Sequence, residues 1–287
     1  MNRPKTILTG LALVAVGLVA GIYLQHRWPL GRLANSLRSD PPAAPRTIAD
    51  LANLRPARRL VIVAAGQSNA ANYGETRRAA GDRVYVFSNG TLFSAVDPLP
   101  GADGDGGSVW TRLGARLAMT GDYDAVVFAV VAQGSTELKD WTPGGSCQQR
   151  LLTTLQQLAA ANLSADYFLW QQGESEASSP ASAGPAYRRE LEALHQSARQ
   201  MFPRIIFVAA QATYGASPAI NEQIRLAQAA AAGLPGAIAG PDLDALGDRY
   251  RRDGLHFNDG GLSAAADLWL ASLRISLAGR ARSLPTP

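Results

Sequence analysis

A serine hydroxyl becomes a useful nucleophile when a base can take its proton, and histidine is the usual base. The 287-residue chain has three histidines. His26 ends an apolar N-terminal stretch. His195 lies beside the apolar stripe of an amphipathic helical pattern, a setting for a packed or surface side chain. His256 lies in Arg252-Asp253-Gly254-Leu255-His256-Phe257-Asn258, just ahead of the last helical pattern, and is the credible catalytic base. Asp253, three residues earlier, can accept a hydrogen bond from the second imidazole nitrogen, fixing the tautomer and stabilising the imidazolium. The serine that suits this base is Ser68 in Gly66-Gln67-Ser68-Asn69-Ala70, directly after the apolar run Leu60–Ala65. A glycine there lets the chain bend sharply out of a strand and present the hydroxyl. Glycine–serine turns are common, so the weight rests on the pairing of this turn with Asp253 and His256. The chemistry available to such a set is nucleophilic acyl transfer.

The elements that must position these residues are legible as alternating runs. Leu60–Ala65, Val84–Phe87, Ala125–Val131, Tyr167–Trp170 and Ile205–Ala210 are short, apolar and rich in β-branched or aromatic residues. Continuous runs of this kind suit strands covered on both faces, as in a parallel sheet. Between them lie helical patterns: one capped by Ser108 with Trp110, Leu113 and Leu117 on its apolar face, one with Leu151, Leu155, Leu158 and Ala159, and one from Tyr187 to Met201. A fourth is expected from Ser217-Pro218 to Gly233, and a last from about Leu262 to Leu277. Strand–helix alternation predicts a three-layer α/β/α sandwich with a mainly parallel, flavodoxin-like sheet, whose active residues gather beyond the carboxyl ends of the strands.

Four blocks stand at those strand ends: GQSN at 66–69, QGS at 133–135, WQQGES at 170–175 and DGLHF at 253–257. Their order resembles the SGNH hydrolases, and more narrowly the branch of sialate O-acetylesterases and acetyl xylan esterases, over about Leu60 to Leu277. Where the wider superfamily carries Gly-x-Asn in its third block, this chain has the branch's Gln-Gly-Glu. Ala70 departs from the methionine frequent in the branch. The resemblance implies that Ser68 attacks an ester carbonyl, that His256 takes and returns the proton, and that Asp253 orients His256. It implies an oxyanion hole made of the backbone N–H groups of Ser68 and Gly134 and the side-chain amide of Gln172. Loss of one such donor typically raises the barrier by about 2.7–4 kcal/mol. The expected activity is removal of acyl groups, acetyl foremost, from a carbohydrate through an acyl-enzyme. The alternatives are an acyltransferase, lipase or thioesterase with the same triad, or a non-catalytic carbohydrate-binding protein, against which the intact triad speaks.

Nearby residues have plainer readings. Gln67 and Asn69 are expected to hold the turn. Glu174 either ties the Gln172 loop to the Ser68 loop or touches substrate. Ser135 and Thr136 finish a turn, Trp141 and Trp170 belong to the core or stack on a sugar, and Asp242 and Asp244 cap loops. Cys147, the single cysteine, is an incidental small side chain. No residues have metal-ligand spacing and no glycine-rich phosphate loop follows the first strand, so neither a metal nor a cofactor is expected.

The net charge of +4 conceals two regions. Residues 1–59 hold nine Lys/Arg against two Asp/Glu, and the remainder eighteen against twenty-one. The basic balance belongs to the leader, so a nucleic-acid function gains no support. Ile7–Leu24 is an 18-residue apolar run that would span about 27 Å as a helix, close to bilayer thickness. Residues 1–27 are read as a transmembrane signal anchor, 28–59 as a Pro-rich basic linker, and 60–280 as the catalytic domain. The short N-terminal tail favours an extracytoplasmic domain, and cleavage of the leader would make the protein secreted.

Overall fold

The computed structural model describes residues 58–215 and 220–282, together with Ala49. The expected leader lies outside the described residues, as does the expected linker apart from Ala49, Arg58 and Arg59, the last of which opens the first strand; among those described no helix is long and apolar enough to cross a membrane.

Seven strands form one sheet: β1 (Arg59–Gly66), β2 (Val84–Ser88), β3 (Thr91–Ser94), β4 (Ala125–Ala132), β5 (Tyr167–Gln171), β6 (Ile206–Gln211) and β7 (Ala237–Asp242). Their order is β3-β2-β4-β1-β5-β6-β7, parallel throughout except for the β2–β3 hairpin. β4 lies between β1 and β2, one exchange from the flavodoxin order. On one side of β1 the chain first lays down β2 and β3 and then returns to fill the gap with β4; on the other it builds outward from β5 to β7. Such a reversal leaves a crevice at the carboxyl ends of the central strands.

Alternation along β1 divides the core. Leu60, Ile62 and Ala64 face a layer with α1 (Val109–Met119) and α5 (Asp259–Ala281), while Val61, Val63 and Ala65 face α2 (Gln148–Ala160), α3 (Gly184–Met201) and α4 (Glu222–Ala230). The result is the three-layer sandwich. Ser108 caps α1, accepting from the Trp110 N–H, and Asn258 caps α5 through the Gly261 N–H. α4 differs from expectation: its cap is Asn221, which accepts from the Ile224 N–H, and the helix begins at Glu222. A short 3₁₀ turn, Ala231–Gly233, then ends it where Gly233 was expected to. β3 and β7 were not anticipated. β3 is a four-residue edge strand, and β7 contains Gly240-Pro241, residues that weaken a strand reading from sequence.

Candidate active site

The register of the sheet brings the first three blocks together. Gly66 at the end of β1 pairs with Ala132 of β4 on one side and Gln171 of β5 on the other. The Gly66 carbonyl accepts from the Gln133 N–H at 2.9 Å, and the Gln171 carbonyl accepts from the Gln67 N–H at 3.2 Å. Gly66 has φ +146°, and a Cβ there would lie 1.9 Å from the Gln171 carbonyl oxygen. Only glycine lets the chain turn at this rung. A 3₁₀ turn, Ser68–Ala70, follows at once. It is pinned from α1 by Trp110 Nε1–H, which donates to the Ala70 carbonyl at 2.7 Å, and from β5 by Gln171 Nε2, which donates to the Asn69 carbonyl at 2.8 Å. Ser68 is 5% exposed. Neither its hydroxyl nor its backbone N–H is hydrogen-bonded among the described residues.

The base is built locally. Asp253 Oδ2 and His256 Nδ1 are 2.7 Å apart, and Asp253 Oδ1 accepts from the N–H groups of Leu255 and His256 at 3.0 and 2.7 Å. Partial burial alone would raise the Asp253 pKa, but the His256 contact and these backbone bonds hold it well below the usual carboxylate range. The imidazole stacks on Tyr73, with ring centroids 5.1 Å apart.

Asn69 joins nucleophile to base. Its Nδ2 donates to Glu174 Oε1 at 2.8 Å and to the Leu255 carbonyl at 3.3 Å, and its Oδ1 accepts from the Phe257 N–H at 3.3 Å. The residue after Ser68 thus holds both neighbours of His256. Glu174 ties the two loops together, and its burial pushes its carboxyl up to about 7 against the pull of the Asn69 bond. Its Oε2 has no hydrogen-bond partner among the described residues. Gln67 holds the turn from below, its Oε1 accepting from Gln172 Nε2 and the N–H groups of Gly173 and Ser175.

The oxyanion donors differ from expectation. Gln172 is fully buried, and its Nε2 faces Gln67 Oε1 at 3.0 Å, the Thr136 carbonyl at 3.1 Å and Glu176 Oε2 at 2.5 Å. Its Oε1 accepts from the Tyr187 hydroxyl. With its hydrogens committed inside the protein, Gln172 offers no free donor to a substrate. The Gly134 N–H lies beyond the β4 end of the same rung, but it donates to both oxygens of Asp103, at 3.0 and 3.1 Å. The Ser68 N–H is therefore the open donor of the expected three.

The remaining candidates fall into structural places. His195 is 5% exposed, its Nε2 bonded to the Pro235 carbonyl at 3.0 Å and its ring edge-on to Phe207. Trp141 and Trp170 are buried and meet at 5.6 Å, so they belong to the core. Ser135 takes a left-handed φ of +60°, and Thr136 Oγ1 donates to the Gln133 carbonyl, closing the turn. Asp244 accepts from the N–H groups of Thr213 and Tyr214, and Asp242 pairs with Arg225. Cys147 is buried, which raises its thiol pKa. Among the described residues no cluster could hold a metal.

Three residues escaped the sequence reading. Tyr73 stacks on the base, Asp103 caps Gly134, and Arg251 is buried with its guanidinium on the Leu243, Leu246 and Leu255 carbonyls and over the Phe257 ring. One of two aspartates, Asp103 and Asp105, in the glycine-rich stretch GADGDGG was the available signal for Asp103. Nothing local marked the other two.

A serine on a turn after the central strand, a His–Asp pair before the last helix and a three-layer parallel sandwich define an SGNH-type serine hydrolase. A model of the family described as carbohydrate esterase, sialic acid-specific acetylesterase, matches residues 58–267, and the chain belongs to that family. It is accordingly a carboxylic ester hydrolase of carbohydrate esters. Solved structures share the fold. A protein from Arabidopsis thaliana superposes with a TM-score of 0.58 at 19% identity, over 76% of this chain and 98% of that one. A carbohydrate acetylesterase from Xanthomonas citri gives 0.51 at 16%, over 76% and 57%. A family 3 carbohydrate esterase from Clostridium thermocellum gives 0.50 at 15%, over 78% and 99%. No curated protein matches the sequence significantly.

Proposed function

We propose that the protein removes O-acetyl groups from a carbohydrate by a serine acyl-enzyme route. Ser68 Oγ attacks the ester carbonyl while His256 takes its proton through the nitrogen not held by Asp253. The imidazolium then protonates the leaving sugar oxygen, and water repeats the sequence to release acetate. Asp253, ionised and anchored by two backbone N–H groups, stabilises the imidazolium at each stage. The observation that carries this reading is the 2.7 Å His256–Asp253 contact on a loop that Asn69 fastens to the Ser68 turn. The carbohydrate acetylesterase likeness supports acetyl as the acyl group. Hydrolysis of a panel of O-acetylated glycans, with 4-nitrophenyl acetate as the generic ester, tests it. Ser68→Ala is expected to lower kcat by about 10⁶-fold with an unchanged circular dichroism spectrum. Near-normal turnover by that variant would exclude Ser68 as the nucleophile.

The same proposal places the enzyme on a membrane, held by Ile7–Leu24 with the catalytic domain outside the cytoplasm. The length and apolarity of that run support this. The full-length chain is expected to sediment with carbonate-washed membranes and to keep its N-terminus. A soluble mature chain beginning shortly after Leu24 would show a cleaved leader instead.

A further inference from the structure

The Gly134 amide follows the end of β4 beside the Ser68 turn, a place from which it could serve an oxyanion, yet a carboxylate occupies it. Gly66 pairs with Ala132, so Ser68 and Gly134 each emerge two residues past one rung of the sheet. Tyr73 spans the space between Gly134 and the base. Its ring stacks on His256, while a Cβ at Gly134 would lie 3.0 Å from its hydroxyl oxygen. The Tyr73 hydroxyl donates to Asp103 Oδ2 at 3.0 Å. Asp103 is thus joined to the catalytic wall on two sides.

Its placement is built into the backbone. The Asp103 N–H donates to the Ala132 carbonyl at the end of β4, and its own carbonyl accepts from the Asn72 N–H. The Asn72 side chain in turn bonds the backbone of Leu99 and Ala102. The main chain at Asp103 is clamped between two segments of the site, so any movement of its carboxylate is a matter of side-chain torsions. A carboxylate at 3 Å from the Gly134 nitrogen competes for the donor an oxyanion needs, and two negative charges at one donor are unfavourable. The carboxylate must therefore leave Gly134 as the ester enters, and a half-buried carboxylate that gives up a hydrogen bond needs a replacement.

We propose that Asp103 determines specificity: its carboxylate holds the Gly134 amide in the free enzyme, yields it to the ester carbonyl, and accepts a hydroxyl hydrogen from the sugar beside the ester. The substrate class is then an ester of a polyol with a free hydroxyl next to the acylated carbon. This deepens the esterase reading and rests on it. A site built to pair with a substrate hydroxyl discriminates strongly against the analogue that lacks it.

The test compares full-length protein in detergent on three acetyl esters: a monoacetylated sugar with the neighbouring hydroxyl, its deoxy counterpart, and 4-nitrophenyl acetate. The unmutated enzyme is expected to favour the hydroxyl-bearing sugar in kcat/KM by at least about tenfold. Asp103→Ala is expected to abolish that preference and to raise kcat/KM for 4-nitrophenyl acetate, because nothing then competes for Gly134. Asp103→Asn, which keeps the volume and loses the charge, is expected to retain part of the preference while also raising turnover of the generic ester. A preference absent from the unmutated enzyme, one that survives in Asp103→Ala, or an equal fall on all three esters in either variant overturns the proposal. No turnover of any ester by the unmutated protein would instead overturn the esterase reading beneath it.

Discussion

Gln172 illustrates how a residue in the right block acquires a different task. It follows β5, as an oxyanion donor would, but its amide is enclosed by Gln67, Thr136, Glu176 and Tyr187. Removing it leaves buried acceptors unpaired, which costs about 1–3 kcal/mol of stability. Gln172→Ala is therefore expected to lower the unfolding midpoint and to reduce activity through loss of the folded site. A donor to the transition state would behave differently, raising the barrier by about 2.7–4 kcal/mol at unchanged stability. Thermal unfolding and kcat measured on one preparation separate the two. An unchanged midpoint with a hundredfold or greater fall in kcat would restore Gln172 to the oxyanion hole.

The elements that carry the proposed triad are far apart in sequence and are joined by very few side chains. The 3₁₀ turn after β1 and the loop before α5 meet through Asn69, which reaches the backbone on either side of His256. Misplacement of catalytic groups by about 1 Å can cost up to about 100-fold. Asn69→Ala is expected to lower kcat by about 10- to 100-fold with little change in KM, since the residue positions the reacting groups and its side chain is turned toward protein partners. A KM effect at constant kcat would mean that Asn69 contacts substrate. The loop has a second fastening at the N-terminus of α5. There Asp259 meets Arg78, Arg112 and the Thr76 hydroxyl, and Arg112 lies 3.7 Å from the buried Asp97.

Over the whole molecule, burial leaves a signature in the pH dependence of stability. Asp97, Glu174 and Glu176 are each pushed up to about 7 and Asp166 to about 6, in every case chiefly by desolvation. Unfolded, such groups return to ordinary values near 4. Between those limits the folded protein binds more protons than the unfolded chain, so stability falls as pH rises. Asp253, Asp242 and Asp259 are held low and act in the opposite sense, their contribution being lost as pH falls through the acid range below about 4. His195, lowered by burial, also favours higher pH, one group against four. The unfolding midpoint is expected to drop by a few degrees from about pH 5.5 to about pH 8. A flat or rising midpoint across that interval would contradict the assignment of neutral buried carboxyls.

What the amino-acid order determined by itself was whatever local physics could enforce. The short apolar, β-branched runs suited covered strands, Ser108 and the spacing of Trp110, Leu113 and Leu117 announced α1, and Gly66 before Ser68 allowed a sharp exit from β1. The Asp253–His256 contact spans three residues within one loop, so it too was readable. Pairing across the sheet was a different matter. Thr91–Ser94 and Ala237–Asp242 lack alternation strong enough to mark strands and become strands because β2 and β6 offer their edges. Whether Gln172 turns inward, and whether the Gly134 N–H is open or taken, depends on Glu176, Tyr187, Tyr73 and Asp103. Apart from Glu176, these reach the site from other segments of the chain. A hydrogen-bond donor has no assigned partner until the chain is packed. The Asp253–His256 pair was therefore local information, while the partners of the Gly134 and Gln172 donors were decided by the tertiary structure.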